Sequence, residues 1–350
     1  MRNEMSNILT MSSTSEKLFF GNTGHGISRY DIVRYPILDK LDQQMKSFYW
    51  RPQEIDMSQE KRSFSQMSDQ EQFVFTSNIK RQILLDSVQG RAPTLAFLPQ
   101  CSDPMLENCL TTWAFFETIH SESYTHIIRA IYPDPKVIVD DMVNIESIAN
   151  CATDITLNYD NMINNPNKEN LYLALVSANA LEAIRFYVSF ACTFSFLERA
   201  KVEGSAKIVK LIARDENVHL ALVQHILKLL PKDDPEFIQI IGDNRDKAAN
   251  IFISARDQEK EWAEYLFSTG SILGINADIL HNYIDFLTAK RMKSIGLPSS
   301  DVKISHPIPW IEKHLTSVNT QVAPQEVEIS SYLSGGVKNN ISELDFSKIW

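Results

Sequence analysis

The chain has 350 residues, 44% of them hydrophobic, which is enough to build a large core and excludes wholesale disorder. Its formal net charge of −10 argues against electrostatic binding to nucleic acid or to an anionic membrane. Only 11 Gly and 14 Pro interrupt it, so long helices are favoured over a strand-and-turn protein.

Residues 1–30 are rich in Ser, Asn, Thr and Gly and are expected to form a loose arm. The GNTGHG cluster at 21–26 has no strand before it and no βαβ unit after it, so it is not read as a phosphate loop. The most apolar run, 186–197, is too short to span a bilayer as a helix. The N-terminus has no continuous apolar segment of a secretory signal. Cys101, Cys109, Cys151 and Cys192 form no CxxC pair and read as small buried hydrophobes of a reducing compartment. The expected location is the cytoplasm.

From 31 to 318 the pattern predicts a helical domain. One helix covers 67–89, opened by the capping signature Ser68-Asp69-Gln70-Glu71. A second runs from about 103 to 132, ending before Pro133. A third runs from about Asn167 to about Gly204, and a fourth from Ser205 to about Leu230, stopped by Pro231. Further helices are expected in 244–267 and 275–295. After PIPWIEKHL (307–315) the character changes, and residues 319–350 are expected to form a flexible tail ending in ELDFSKIW. Composition leaves two readings of that tail, a frayed terminus or a tethered peptide that orders on a partner.

Four acids fall where helical periodicity predicts core: Asp86 in RQILLDSV, Glu117 in WAFFETIH, Glu182 in NALEAIRFYVSF and Glu216 in LIARDENVHLAL. Buried carboxylates require compensating positive charge, and nearby cations do not obviously supply it. Glu117 is followed three residues later by His120, and Glu216 by His219, so each pair projects from one helix face. With 22 Glu and 8 His in the chain, chance alone gives about half of one such pair. Their apolar, mid-helix setting carries the weight, together with a lone acid on each preceding helix.

An acid and a Glu-x-x-His, given twice over four helices, is the dimetal-carboxylate pattern of a helical bundle. Two divalent ions balance four carboxylates, with two neutral imidazoles, so such a site is buried without net charge. Oxygen-rich ligation without thiolate suits iron or manganese. The competing reading is four helix acids paired with Lys or Arg and two histidines satisfied by backbone.

Tyr124 lies seven residues beyond Glu117, about 20° short of two full turns, and so on the same stripe. A packing tyrosine is the bland reading, and an oxidisable phenol beside oxygen-activating metals the sharper one. Phe186 and Phe190, four and eight residues after Glu182, and Ile212, four before Glu216, read either as plain core or as an apolar sleeve around a radical.

LLDSVQGR (84–91), WAFFETIHSESYTHIIR (113–129), NALEAIRFYVSFACTF (179–194) and KLIARDENVHL (210–220) resemble the ligand segments of class I ribonucleotide reductase small subunits of bacterial and phage type. FYWRP (48–52), PIPWI (307–311) and APQEVEISSYL (323–333) match as well. The resemblance implies an all-α, ferritin-like bundle, a homodimer, and a dimetal site of Asp86, Glu117, His120, Glu182, Glu216 and His219. It implies two iron ions, with manganese as the alternative, and a dioxygen-derived oxo bridge. By the same resemblance Tyr124 is the radical tyrosine, and Trp50 and Asp215 begin an electron path reaching the metal through His120. Tyr332 relays the radical to the large catalytic subunit, on which the C-terminal tail docks. The implied enzyme is ribonucleoside-diphosphate reductase, active only with that subunit. The rival expectations are a related dimetal oxidase acting on a bound small molecule, and a ferritin-like storage protein; neither has a use for the tail with Tyr332.

Overall fold

The structure, a computed structural model, describes residues 17–21, 28–299 and 305–315. Among these residues it is helical throughout, and the pairings outside helices are two isolated bridges, Phe19 with Cys101 and Ile272 with Ile275. In chain order the helices are α1 (Pro36–Ser47), α2 (Glu60–Ser65), α3 (Asp69–Gln89), α4 (Pro104–Ile131), α5 (Pro135–Asp141), α6 (Glu146–Asn164) and α7 (Lys168–Ala180). They continue with α8 (Tyr187–Leu197), α9 (Glu203–Asp233), α10 (Glu236–Asp243), α11 (Arg245–Leu266), α12 (Ala277–Ser294) and the single turn α13 (Glu312–Leu315).

The helix starts follow local chemistry. Ser68 accepts from the Glu71 amide and Glu71 reaches back to the Ser68 amide, closing the expected capping box at α3. Asp103 accepts from the amides of Met105 and Leu106, with Pro104 at the first helical position of α4. Long α9 begins without a capping residue of its own. Buried Glu60 from α2 takes that role instead, accepting from the amides of Gly204 and Ser205 at 2.8 and 3.2 Å. Gly204 is needed there, since a Cβ would sit 2.6 Å from the Asp56 carbonyl oxygen and 2.8 Å from Met57 Sδ.

Two boundaries differ from the sequence expectation. The helix expected from Asn167 to about Gly204 is broken at a π turn, Leu181–Arg185, and ends at Leu197; Ala200 and Val202 then take positive φ values of 51° and 45°. Pro231 does not stop α9, which runs on to Asp233. A proline forfeits one backbone bond and crowds the preceding turn, and here only a last turn remains to be carried past it.

Six helices assemble the centre of the bundle. α3 packs against α4, α6 and α8, while α9 packs against α4, α7 and α8. Every residue from Tyr187 to Phe196 in α8 is buried, as is nearly the whole inner length of α9. At about 1.5–3 kcal/mol for each fully buried large apolar side chain, this packing leaves ample stability to hold a cluster of charges. Lys168–Leu197 is apolar and long enough to cross a membrane by length and composition, but 94% of its most apolar window is buried within the bundle. Leu18 and Phe19, from the stretch expected to be a loose arm, are buried, and the Leu18 amide donates to Asp233 Oδ2 at 2.7 Å. The expected tail, 319–350, lies outside the described residues. The four cysteines are buried and free.

Candidate metal centre

Asp86 comes from the last turn of α3, Glu117 and His120 from the middle of α4, Glu182 from the π turn, and Glu216 and His219 from the middle of α9. All six are buried, with Glu117, His120, Glu182 and His219 at 0% exposure. Their potential ligand atoms form two sets, each with atoms within 4.8 Å of one another: Asp86, Glu117, His120 and Glu216, and Glu117, Glu182, Glu216 and His219. Glu117 and Glu216 belong to both.

The individual oxygens show how the sharing works. Glu117 turns Oε1 toward His219 Nδ1 at 3.2 Å and Oε2 toward His120 Nδ1 at 3.5 Å. Glu216 turns Oε2 toward His219 Nδ1 at 3.0 Å and Oε1 toward His120 Nδ1 at 3.2 Å. Each of the two carboxylates therefore faces both histidines, one oxygen apiece. Two carboxylates so placed would be shared by both ions of a bound pair. Close approach of α3 to α4 is part of it: a Cβ on Gly90 would lie 3.1 Å from Glu117 Cβ.

The donor set passes a direct test of fit. Both oxygens of Asp86, Glu117 Oε2, Glu182 Oε2, Glu216 Oε1 and His120 Nδ1 are buried without a hydrogen-bond partner. Buried polar atoms are normally paired, so this many orphans pointing into one small space call for a bound cation pair. Four carboxylates, two imidazoles and no thiolate match iron or manganese in hard, oxygen-rich surroundings.

Electrostatics of the metal-free chain point the same way. Burial first, then the charges of Glu117 and Glu216, pushes Asp86 well above the usual carboxylate range. Burial, then Glu216, does the same to Glu182. Glu216 itself is lowered: burial opposes this, but the charge of His120 and the hydrogen bond from His219 outweigh it. Burial works against protonation of the histidines, yet Glu216 raises His120, and the hydrogen bonds that His219 donates to Glu117 and Glu216 carry it up to about 9. The metal-free centre thus holds protons at neutral pH, and ligation requires their removal. Loading ferrous or manganous ion at pH 7 is expected to release on the order of one or more protons per ion, measured with an indicator in weakly buffered solution. The release should shrink as pH rises past about 9, where His219 is already neutral without metal, and affinity should fall steadily on acidification. Metal uptake with no proton release at pH 7 would contradict this electrostatic picture.

Tyr124 is fully buried, its hydroxyl has no hydrogen-bond partner, and burial followed by the charge of Asp86 raises it well above the ordinary phenol range. Trp50, Asp215 and His120 form a hydrogen-bonded line. Trp50 Nε1 donates to Asp215 Oδ2 at 2.7 Å, and the same oxygen lies 3.3 Å from His120 Nε2. Arg214 steadies Asp215 from the other side, donating to Oδ1 at 3.1 Å and to the Phe48 carbonyl at 2.7 Å. Phe186, Phe190 and Ile212 are buried, and the two phenylalanine rings stack at 5.7 Å. Tyr332 lies outside the described residues.

The sequence reading missed the polar groups that back the ligands. Trp113 Nε1 donates to Glu117 Oε1 at 2.8 Å, and Gln89 Nε2 donates to Glu182 Oε1 at 2.8 Å. Trp113 precedes Glu117 by one turn and Gln89 follows Asp86 by three residues, so helical spacing held a signal for both. Tyr159, which donates to Gln89 Oε1 at 2.7 Å, sits on α6 and gave none.

A helical bundle holding two ligand sets that share two carboxylates defines a dimetal-carboxylate protein of ferritin-like architecture. Comparison with known proteins narrows this. The family model "Ribonucleotide reductase, small chain" matches residues 30–300, and the chain belongs to that family. It is 47% identical over 359 residues to ribonucleoside-diphosphate reductase subunit beta of Buchnera aphidicola subsp. Baizongia pistaciae, with 95% of each chain covered. It is 40% identical to the subunit beta of Enterobacteria phage T4, with 94% of each covered. Among solved structures, the ribonucleotide reductase R2 subunit from Clostridium botulinum shares the fold, with TM-score 0.79, 24% identity, and 90% of this chain and 97% of that one covered. Dimanganese(II)-NrdF of Streptococcus sanguinis aligns with TM-score 0.67 and 19% identity, over 82% of this chain and 98% of the other.

Proposed function

We propose that this chain is the radical-generating small subunit of a ribonucleoside-diphosphate reductase, working in the cytoplasm as a homodimer with a separate large catalytic subunit. The observation that carries the reading is the double sharing of Glu117 and Glu216 between two buried histidines, with a buried, unpartnered phenol alongside. Asp86 and His120 complete one metal position, Glu182 and His219 the other, and the ions are iron, with manganese as the alternative. When bound, the pair supplies the oxidising power, drawn from dioxygen, that takes an electron from Tyr124.

The chain's own groups protect the radical and direct the electron and proton. Full burial keeps water and reductants from the Tyr124 oxygen, so a radical there is long-lived. Among the carboxylates, Asp86 is the one whose charge acts on the phenol most strongly. Phe186, Phe190 and Ile212 serve as the apolar sleeve. Asp215 holds the Trp50 indole and the His120 imidazole on one oxygen, which gives a continuous route for an electron between the centre and Trp50. Tyr332 and the 319–350 tail extend that route to the large subunit, where the ribonucleotide is reduced.

Trp50→Phe tests the hand-over. It retains an aromatic ring in the same place but removes the Nε1–H that Asp215 accepts. Metal binding and the Tyr124 radical should persist. Ribonucleotide reduction with the large subunit should fall at least about a hundredfold, roughly 2.7 kcal/mol on the barrier. Undiminished turnover in the variant would remove Trp50 from the route.

A further inference from the structure

Gln89 and Tyr159 form a buried line that ends on Glu182. Tyr159 Oη donates to Gln89 Oε1 at 2.7 Å and Gln89 Nε2 donates to Glu182 Oε1 at 2.8 Å, with Gln89 at 0% and Tyr159 at 3% exposure. Gln89 closes α3, while Tyr159 belongs to α6, which contributes no ligand to either set.

The line has one consistent direction. A carboxylate that is to bind metal can only accept hydrogen bonds, so Gln89 must present its amide nitrogen to Glu182. The amide oxygen then faces Tyr159, whose hydroxyl must donate. A flipped amide would set oxygen against oxygen at the Glu182 end, between two fully buried groups. Tyr159 therefore locks the amide, and the amide occupies Glu182 Oε1. The remaining oxygen, Oε2, has no protein partner. Glu182 is also the one ligand outside an α-helix, in the Leu181–Arg185 π turn, and it has no histidine three residues on of the kind that follows Glu117 and Glu216.

We propose that Gln89 and Tyr159 are positioning residues that hold Glu182 to one-oxygen ligation of a single metal position, the one it shares with His219. This rests on the reading of the six residues as a dimetal site. Neither residue touches metal; Gln89 acts through Glu182, and Tyr159 acts through Gln89. Loss of such an outer partner typically weakens metal binding about 10–100-fold. Because Glu182 belongs to one of the two ligand sets, the loss should fall on one ion.

The test is a titration of the metal-free, full-length protein with manganese(II), following the free ion by its six-line electron paramagnetic resonance signal. The wild-type chain should bind two ions. Gln89→Leu should weaken one of them about 10–100-fold and leave the other unchanged. Tyr159→Phe should weaken the same ion by less, and the double variant should be no weaker than Gln89→Leu alone. Tyr159→Phe keeps the ring that packs edge-on against Phe97 at 6.0 Å, so it serves if Gln89→Leu does not fold. Wild-type binding of both ions in the folded variants would overturn the proposal, and so would equal weakening of both, which is the mark of a merely structural role. A wild-type chain that binds fewer than two ions would overturn the dimetal reading itself.

Discussion

Replacing Tyr124 with Phe is expected to abolish the stable radical and all ribonucleotide reduction above background, while both metal ions still bind. The structure makes this an unusually clean substitution. The hydroxyl being removed is buried and has no hydrogen-bond partner, so its loss breaks no bond and leaves no partner stranded. The ring stays, and with it the packing. Stability should change by no more than about 1 kcal/mol, and the change should favour the variant, because an unsatisfied polar group leaves the core. Metal content, the thermal midpoint and the radical signal are three separate readings. Only the last should fall. A radical of unchanged spectrum in the variant would mean that another residue carries it.

The second large effect is expected at the shared ligands. Glu117 and Glu216 each face both histidines, whereas Glu182 takes part in one set. Glu117→Gln should therefore strip both ions, bringing bound metal close to zero, while Glu182→Gln should cost mainly one. The metal-free proteins should lose stability as well. Glu117 faces both His219 and His120, and removing one member of a buried charge pair costs up to about 3–5 kcal/mol, so metal-free Glu117→Gln should be less stable than the metal-free wild type. Metal analysis and thermal unfolding of the stripped proteins measure both halves. Retention of two tightly bound ions in Glu117→Gln would show that the carboxylate is not shared. These two substitutions separate the parts of the account, since Tyr124→Phe removes chemistry without removing metal and Glu117→Gln removes metal.

Much of this was legible in the amino-acid order because burial and charge conflict so visibly there. Asp86, Glu117, Glu182 and Glu216 stand in apolar runs where an acid has no place without a counter-charge, and the i,i+3 histidines aim at the same point. The α3 capping box announced its own start, and Pro133 marked the end of α4 closely. Other features depend on tertiary packing and left no local trace. The π turn around Glu182 arises in a run whose residues would all fit a plain α-helix, and nothing in LEAIR marks the wider turn. Pro231 looked like a stop, but one carbonyl without its bond near a helix end is a small cost beside the burial that α9 gains. Tyr159 reaches the site across an α3–α6 contact, and sequence spacing carries no information about such a contact. Glu60, the cap of α9, comes from a helix some 140 residues earlier in the chain.

Oxidation of Tyr124 by a metal pair and dioxygen is the claim on which the rest depends, and electron paramagnetic resonance of the reconstituted wild-type chain tests it most directly. The metal-free protein is loaded with ferrous iron, dioxygen is admitted and the spectrum is recorded. The expected result is two irons bound and a tyrosyl signal whose hyperfine structure collapses when the tyrosines carry ring deuterium. Two irons bound, dioxygen consumed and no organic radical would contradict it.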